Sequence, residues 1–257
     1  MRFFQVFLAC LMVPVPLVLA QLTPQDPVWM AQQVPPSTIN NGLTGYWKLN
    51  EGAGTNVFDS SGSGQNGTLQ NAAGWGTFGG IGAASFDGYT AYVNIPIATD
   101  LVSTNSVSVS AWLYPTSIGE NGKGYFFQTT TNGYPLFFGM TTDQEGFTNM
   151  VYTGSDDSFQ VDGLQTPANS VVLNQWMQVV ILRASNTNTA VFINGVLAST
   201  GDSGTNMAYG ATAIQIGNRP ADLARGFGGG ICGVRVWNRI ITPAEISTIY
   251  NNGPGNP

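Results

Sequence analysis

From Gly42 onward, short runs of alternating apolar and polar residues recur, separated by turn-forming residues. The segment Ser106-Val107-Ser108-Val109-Ser110-Ala111 is the clearest. Its valines and alanine fall on one side and its serines on the other, the two-residue period of a strand with one buried face. The same reading predicts strands over Thr44–Asn50, Ala84–Asp87, Ala91–Ile95, Val107–Tyr114, Tyr125–Thr130, Leu136–Thr141 and Phe147–Tyr152. It predicts later ones over Trp176–Arg183, Thr189–Val196, Ala213–Gly217 and Gly230–Trp237. Within Val191-Phe192-Ile193-Asn194-Gly195-Val196-Leu197, the Asn-Gly pair supplies the two positive-φ residues of a type I′ hairpin turn.

One segment carries the helical period. Thr242 is placed to cap, Pro243 to occupy the first helical position and Glu245 to complete a capping box. Ile246, Ile249 and Tyr250 follow on one face, and Gly253-Pro254 ends the run. About eleven short strands and one terminal helix predict an all-β fold, an antiparallel β-sandwich of jelly-roll type. No repeat period runs through the strands, which argues against a propeller.

Composition narrows the chemistry. The 257 residues include 33 glycines, and 43 % of the chain is hydrophobic, enough for a sizeable core with many tight turns. Only 9 % is charged, the net charge is −6, and no basic patch is available for a nucleic acid. The chain contains no histidine. A Ser–His–Asp triad, a histidine proton shuttle and the usual histidine-containing zinc sites are therefore excluded.

The N-terminus, MRFFQVFLACLMVPVPLVLAQ, has one basic residue, an apolar stretch from Phe3 to Leu19 and a small-residue site before Gln21. It reads as a secretory signal over residues 1–20, which predicts a secreted protein with no membrane span once it is cleaved. Residues 21–41 carry four prolines and read as a tether, and residues 253–257 as a short tail. Cys10 lies in the signal, so the mature chain keeps Cys232 alone, expected as a buried small hydrophobe and unable to form an internal disulfide.

The candidate metal chemistry lies in Glu51–Gly67, EGAGTNVFDSSGSGQNG, a flexible, oxygen-rich loop directly after a strand signal. Asp59 is the expected hard ligand for a Ca²⁺ ion, with Asn66, and with Glu51 and Asp87 as weaker candidates. The loop is not an EF-hand, because Ser61 and Ser63 stand where acids belong and Gln70 where the bidentate Glu would be. The alternative use of Asp59 is to cap an Asx-turn through Ser60-Ser61-Gly62. Asn66-Gly67-Thr68 is also a formal glycosylation sequon, a use that competes with Asn66 as a ligand.

Two blocks together resemble a known family. GLTGYWKLNEGAGTNVFDSSGSGQNGTL (42–69) is similar to the opening of laminin-G-like, concanavalin A-type jelly-roll domains, and GFGGGICGVRVWNRIITPAEISTIYNN (226–252) to their closing strand and helix. SFDGYTAYVNI, SVSVSAWLYPTS, NQWMQVVILR, TAVFINGVLA and IQIGNRP fall between them in the expected order, so the resemblance covers about residues 42–252. It implies a double-sheet domain used for extracellular recognition, often of carbohydrate, commonly with one bound Ca²⁺. Two positions depart from the family pattern. Met177 stands where such domains often carry His, and Cys232-Gly233 stands where they usually carry acids that could assist a metal.

A sugar-binding surface needs exposed aromatic faces beside amide and carboxylate groups. Tyr89, Tyr92, Trp75, Tyr125 and Tyr134 lie in or beside turn-rich segments and are the candidates. Trp47, Trp112, Trp176 and Trp237 sit inside strand patterns and are expected in the core. A glucanase would need two suitably spaced carboxylates. Asp143 and Glu145 are the only separate acids at strand i, i+2 spacing, and Gly146 breaks their pattern, so no catalytic residue is assigned. The expectation is a secreted, non-enzymatic, lectin-like module for an extracellular glycan. The alternatives are a structural or adhesive protein that binds a cell-surface protein, and a glycan-degrading enzyme.

Overall fold

A computed structural model describes residues 39–96, 106–130, 137–142, 150–154, 164–184, 188–202, 211–219 and 225–256. In these residues the chain forms β1 (Leu43–Trp47), β2 (Asn56–Val57), β3 (Gly67–Gln70), β4 (Gly74–Phe78), β5 (Ile81–Asp87), β6 (Tyr92–Pro96), β7 (Ser106–Pro115) and β8 (Lys123–Thr130). There follow β9 (Phe137–Thr141), β10 (Met150–Gly154), β11 (Leu164–Gln165), β12 (Met177–Ala184), β13 (Asn188–Ile193), β14 (Val196–Gly201), β15 (Ala213–Ile216), β16 (Gly228–Trp237) and the helix α1 (Pro243–Asn252). Residues 1–38, read from sequence as a signal and most of a tether, and Tyr134, Asp143 and Glu145 lie outside the described residues.

The strands make two antiparallel sheets. One runs β14-β13-β12-β7-β16-β5-β4, with β1 also on β16; the other runs β11-β10-β9-β8-β15-β6-β3-β2. This is the jelly-roll sandwich that the alternation predicts. Val107, Val109, Ala111 and Leu113 of β7 join the main core with Phe126, Phe127, Ile214 and Ile216 of the facing sheet. The short strands β2, β3 and β4 fall in segments rich in Gly, Asn and Thr, where no period-2 apolar signal exists to mark them.

The serine face of β7 departs from the one-face-buried reading, because it too is buried. Ser108 Oγ donates to the Arg239 carbonyl at 2.6 Å and accepts from Ile241 N at 3.0 Å. A second apolar cluster covers this side, with Val180, Leu182, Ala190, Phe192 and Trp237 against Ile241, Ile246 and Ile249. The helix begins as predicted. Glu245 N donates to Thr242 Oγ1 at 3.2 Å and Thr242 N donates to Glu245 Oε2 at 2.8 Å, the reciprocal capping box. The Asn194-Gly195 turn has φ values of 52° and 77°, as a type I′ turn requires.

Cys232-Gly233 has a structural use. The register of β16 on β7 shifts between Cys232 and Arg235, and Gly233 takes φ +61° at the bulge. There β16 leaves β5 for β1, and Gly233 N donates to the Lys48 carbonyl at 2.9 Å. Cys232 is fully buried, as expected for a small hydrophobe. Burial pushes its thiol up to about 12, against the opposing charge of Arg235.

Candidate functional site

The loop between β1 and β3 is organised around Asp59. Its Oδ1 accepts from Tyr46 N at 3.0 Å and Ser61 N at 2.8 Å, and its Oδ2 accepts from Ser61 Oγ at 2.9 Å and Gln65 N at 3.0 Å. Asn66 Oδ1 accepts from Asp59 N at 2.9 Å, and Glu51 Oε1 accepts from Phe58 N at 2.9 Å. The fold thus brings Glu51, Asp59 and Asn66 together, and Ser61 N on Asp59 is the Asx-turn named as the alternative use.

These donors bear directly on the Ca²⁺ expectation. Each carboxylate oxygen of Asp59 already receives two hydrogen bonds, so a cation there would have to displace them. Among the described residues no group of three or more acidic or thiol side chains could hold a metal ion. The donor set around Asp59 does not fit a six- to eight-oxygen Ca²⁺ shell. Asp87 closes a different loop and is likewise engaged by backbone.

Asp87, at the end of β5, organises the turn into β6. Its Oδ1 accepts from the backbone N–H groups of Tyr89, Thr90 and Ala91 at 2.9, 2.8 and 2.9 Å, and its Oδ2 from Thr90 Oγ1 at 2.9 Å. Burial alone would raise the carboxyl pKa; the donors from Ala91, Tyr89 and Thr90 outweigh it and hold the group below its usual value. Behind the same turn stands Asn218, fully buried, whose Nδ2 donates to the Tyr89 carbonyl at 2.6 Å. Asn218 Oδ1 accepts from Arg219 N at 2.7 Å and Arg225 N at 3.2 Å. Gly226 packs so closely that a Cβ there would lie 2.5 Å from Tyr89 N.

Tyr89 is therefore held at both its N–H and its carbonyl, while the residue is 62 % exposed. The rim around it also carries charge. Tyr125 N donates to the Arg225 carbonyl at 2.8 Å and Glu120 N to that of Gly226 at 3.1 Å, which draws the start of β8 alongside. Burial, and then the neighbouring charge of Arg225, bring the Lys123 ammonium down to about 8.

The other aromatic candidates separate. Tyr92 is half-buried in β6, and Trp75 is half-buried in β4 with its Nε1 donating to the Gly54 carbonyl at 2.8 Å. Tyr125 is only 2 % exposed, so its ring belongs to the interior and offers no stacking face. Trp47, Trp112 and Trp237 are buried and Trp176 is partly buried, in keeping with their expected core role. Phe58, 54 % exposed beside Asp59, was not a candidate from sequence. Its ring points outward where Val57, its neighbour in sequence, points into the core, and no period-2 apolar run in the sequence marks this segment.

No curated protein sequence matches the chain. Among solved structures it resembles domain 4 of an extracellular GH43 arabinanase from Geobacillus stearothermophilus, described in complex with arabinotriose. Identity is 20 % and the TM-score 0.60, over 81 % of this chain and 98 % of that one. It also resembles the binding domain of botulinum neurotoxin DC in complex with rat synaptotagmin II, at 12 % identity and TM-score 0.64, over 83 % of this chain and 52 % of that one. A botulinum neurotoxin type C structure, from work on cell entry through two ganglioside molecules, matches at 13 % identity and TM-score 0.64, over 84 % and 52 %. The chain thus spans about half the length of the two neurotoxin chains. At these identities the likeness is one of fold. The family model for the Concanavalin A-like lectin/glucanases superfamily matches residues 87–247, more than half of the chain. With its two-sheet sandwich, this protein belongs to the Concanavalin A-like lectin/glucanases superfamily.

Proposed function

We propose that the protein is a secreted, non-catalytic carbohydrate-binding module whose binding surface centres on the β5–β6 turn. The observation that carries this reading is Tyr89. Its ring is exposed while its backbone is fixed by Asp87 and Asn218, so a sugar ring would stack on it at little ordering cost. Arg225, whose N–H donates to Asn218 behind the turn, would supply donors for hydroxyl or acidic substituents, and its charge reaches Lys123. The arabinotriose complex of the arabinanase domain supports a glycan as ligand class by analogy of fold alone. A glycan array with and without chelator tests the reading: binding to at least one glycan, retained in chelator, is expected, and silence across the array overturns it.

A protein partner is the second reading, favoured by a different observation. β14 is the outer strand of its sheet, and Val196 and Leu197 at its start are exposed. Apolar side chains on an outer strand suit strand addition by a partner. A Val196→Lys, Leu197→Lys variant would lose such a partner and keep any glycan.

A further inference from the structure

The face of the first sheet beneath α1 is divided in two. Under Ile246 and Ile249 it is apolar, lined by Val180, Leu182, Phe192 and Trp237. Beside this lies a polar patch built from three adjacent strands. Gln178 of β12 stands opposite Trp112 of β7; Ser110 lies two residues along β7 on the same face and stands opposite Arg235 of β16. The end of the helix and the tail pass over the patch. The Tyr250 ring stacks on Trp112 with centroids 5.8 Å apart, and Cys232 Sγ lies 3.6 Å from the Pro254 carbonyl.

All four residues are buried, and five of their polar atoms lack a partner among the described residues. Ser110 Oγ, Trp112 Nε1, both amide atoms of Gln178 and Arg235 Nη1 make no hydrogen bond among the described residues. A buried polar atom left unpaired is costly, and a buried cation more so. Arg235 is the extreme case at 9 % exposure. Its guanidinium carbon lies 4.1 Å from the Tyr46 ring centroid, and Nη2 donates to Tyr46 Oη at 3.0 Å.

Neither neighbour supplies a negative charge. Burial raises the Tyr46 hydroxyl above its ordinary value even beside Arg235, and the Cys232 thiol is pushed up by burial as well. Both are neutral at pH 7, and Ser110, facing Arg235 from β7, carries no charge. Among the described residues no carboxylate faces this guanidinium.

We infer that the patch is a built site for one small inorganic anion of halide size, held beneath Tyr250 and Pro254. The chemistry of the patch selects it. Four of the five unpartnered atoms can donate, one belongs to a permanent cation, and only the Gln178 carbonyl is purely an acceptor. The size follows from burial, since none of these atoms reaches solvent and a large organic anion would have to lift the helix end. An anion there would receive charge-assisted hydrogen bonds and compensate Arg235.

Crystals of the protein soaked in sodium bromide test this. An anomalous peak at hydrogen-bond distance from Arg235 Nη1 is expected. The melting temperature should be about 3 °C or more higher in chloride than in gluconate of equal ionic strength, an ion too large to enter. Arg235→Met should abolish that difference. If this variant does not fold, the wild-type bromide map decides alone. Absence of the peak overturns the site, and a chloride effect without the peak overturns it equally, because the ion then binds elsewhere.

Discussion

The backbone N–H of Tyr46 donates to Asp59 Oδ1 at 3.0 Å across thirteen positions of sequence, tying the loop that follows β1 back onto that strand. The bond sits among three others to the same carboxylate, from Ser61 N, Ser61 Oγ and Gln65 N. Asp59→Ala removes both acceptor oxygens, and with them all four hydrogen bonds, and strands partly buried N–H groups, so it should destabilise the fold by about 2–3 kcal/mol. Asp59→Asn should keep part of the loss at bay through its one carbonyl oxygen. Urea titration of the three proteins measures this. Saturating Ca²⁺ should leave the wild-type midpoint unchanged; an upward shift that Asp59→Ala abolishes would restore the metal reading of this loop.

The two sides of the Tyr89 turn should respond differently to substitution. Tyr89→Ala trims an exposed ring and should move the melting temperature by no more than about 1 °C. Asn218→Ala leaves the Tyr89 carbonyl and the N–H groups of Arg219 and Arg225 without their side-chain partner, at a cost of about 2 kcal/mol. Thermal melts of the two variants distinguish an exposed platform from its buried support.

Acid should loosen the helix. Burial pushes the fully buried Glu245 carboxyl upward, but the hydrogen bonds from Arg239 and Thr242 and the charge of Arg239 outweigh it and hold its pKa below the usual value for a glutamate. Arg239 grips both oxygens, Nη1 to Oε2 at 2.9 Å and Nη2 to Oε1 at 2.6 Å. A carboxylate with a lowered folded pKa stabilises fully above its unfolded value and loses that stabilisation as pH falls through the folded one. Asp87, also lowered, has the same sign. Urea midpoints should therefore fall steadily below about pH 4.5. Glu245→Gln should start lower and show a shallower acid slope.

Cys232 should be silent toward thiol reagents in the native protein. Its Sγ is buried against the Pro254 carbonyl at 3.6 Å, and burial holds the thiol near 12. Labelling by a chromogenic disulfide at pH 8 should appear only as the protein unfolds, with the same urea midpoint as fluorescence. Labelling in the absence of denaturant would show that the tail lifts from β16.

Much of this architecture was legible along the chain because a few signals are local. The Ser-Val alternation of β7, the Asn194-Gly195 turn and the Thr242–Glu245 capping box each depend on neighbours within a few residues. β3 and β4 were not legible, since Gly67–Gln70 and Gly74–Phe78 carry no period-2 apolar run; β4 is a strand through its hairpin with β5, and β3 through its pairing with β6. Burial of the serine face could not be read from β7 itself, because α1, more than a hundred positions later, covers it. The candidate site divided for the same reason. Tyr89 lies in a turn whose acid is two residues away, and its exposure follows the loop signal. Tyr125 has a similar local pattern, but the bridge to Gly226 takes it inside. The support from Asn218, 129 positions away, has no signature near Tyr89 at all.

If the Tyr89 turn is a sugar platform, parallel glycan-array profiles of the wild type and Tyr89→Ala show it most directly. The wild type should bind at least one glycan, and the variant should lose about tenfold or more of that affinity with its melting temperature unchanged. Equal binding by the two proteins, or binding by neither, would contradict it.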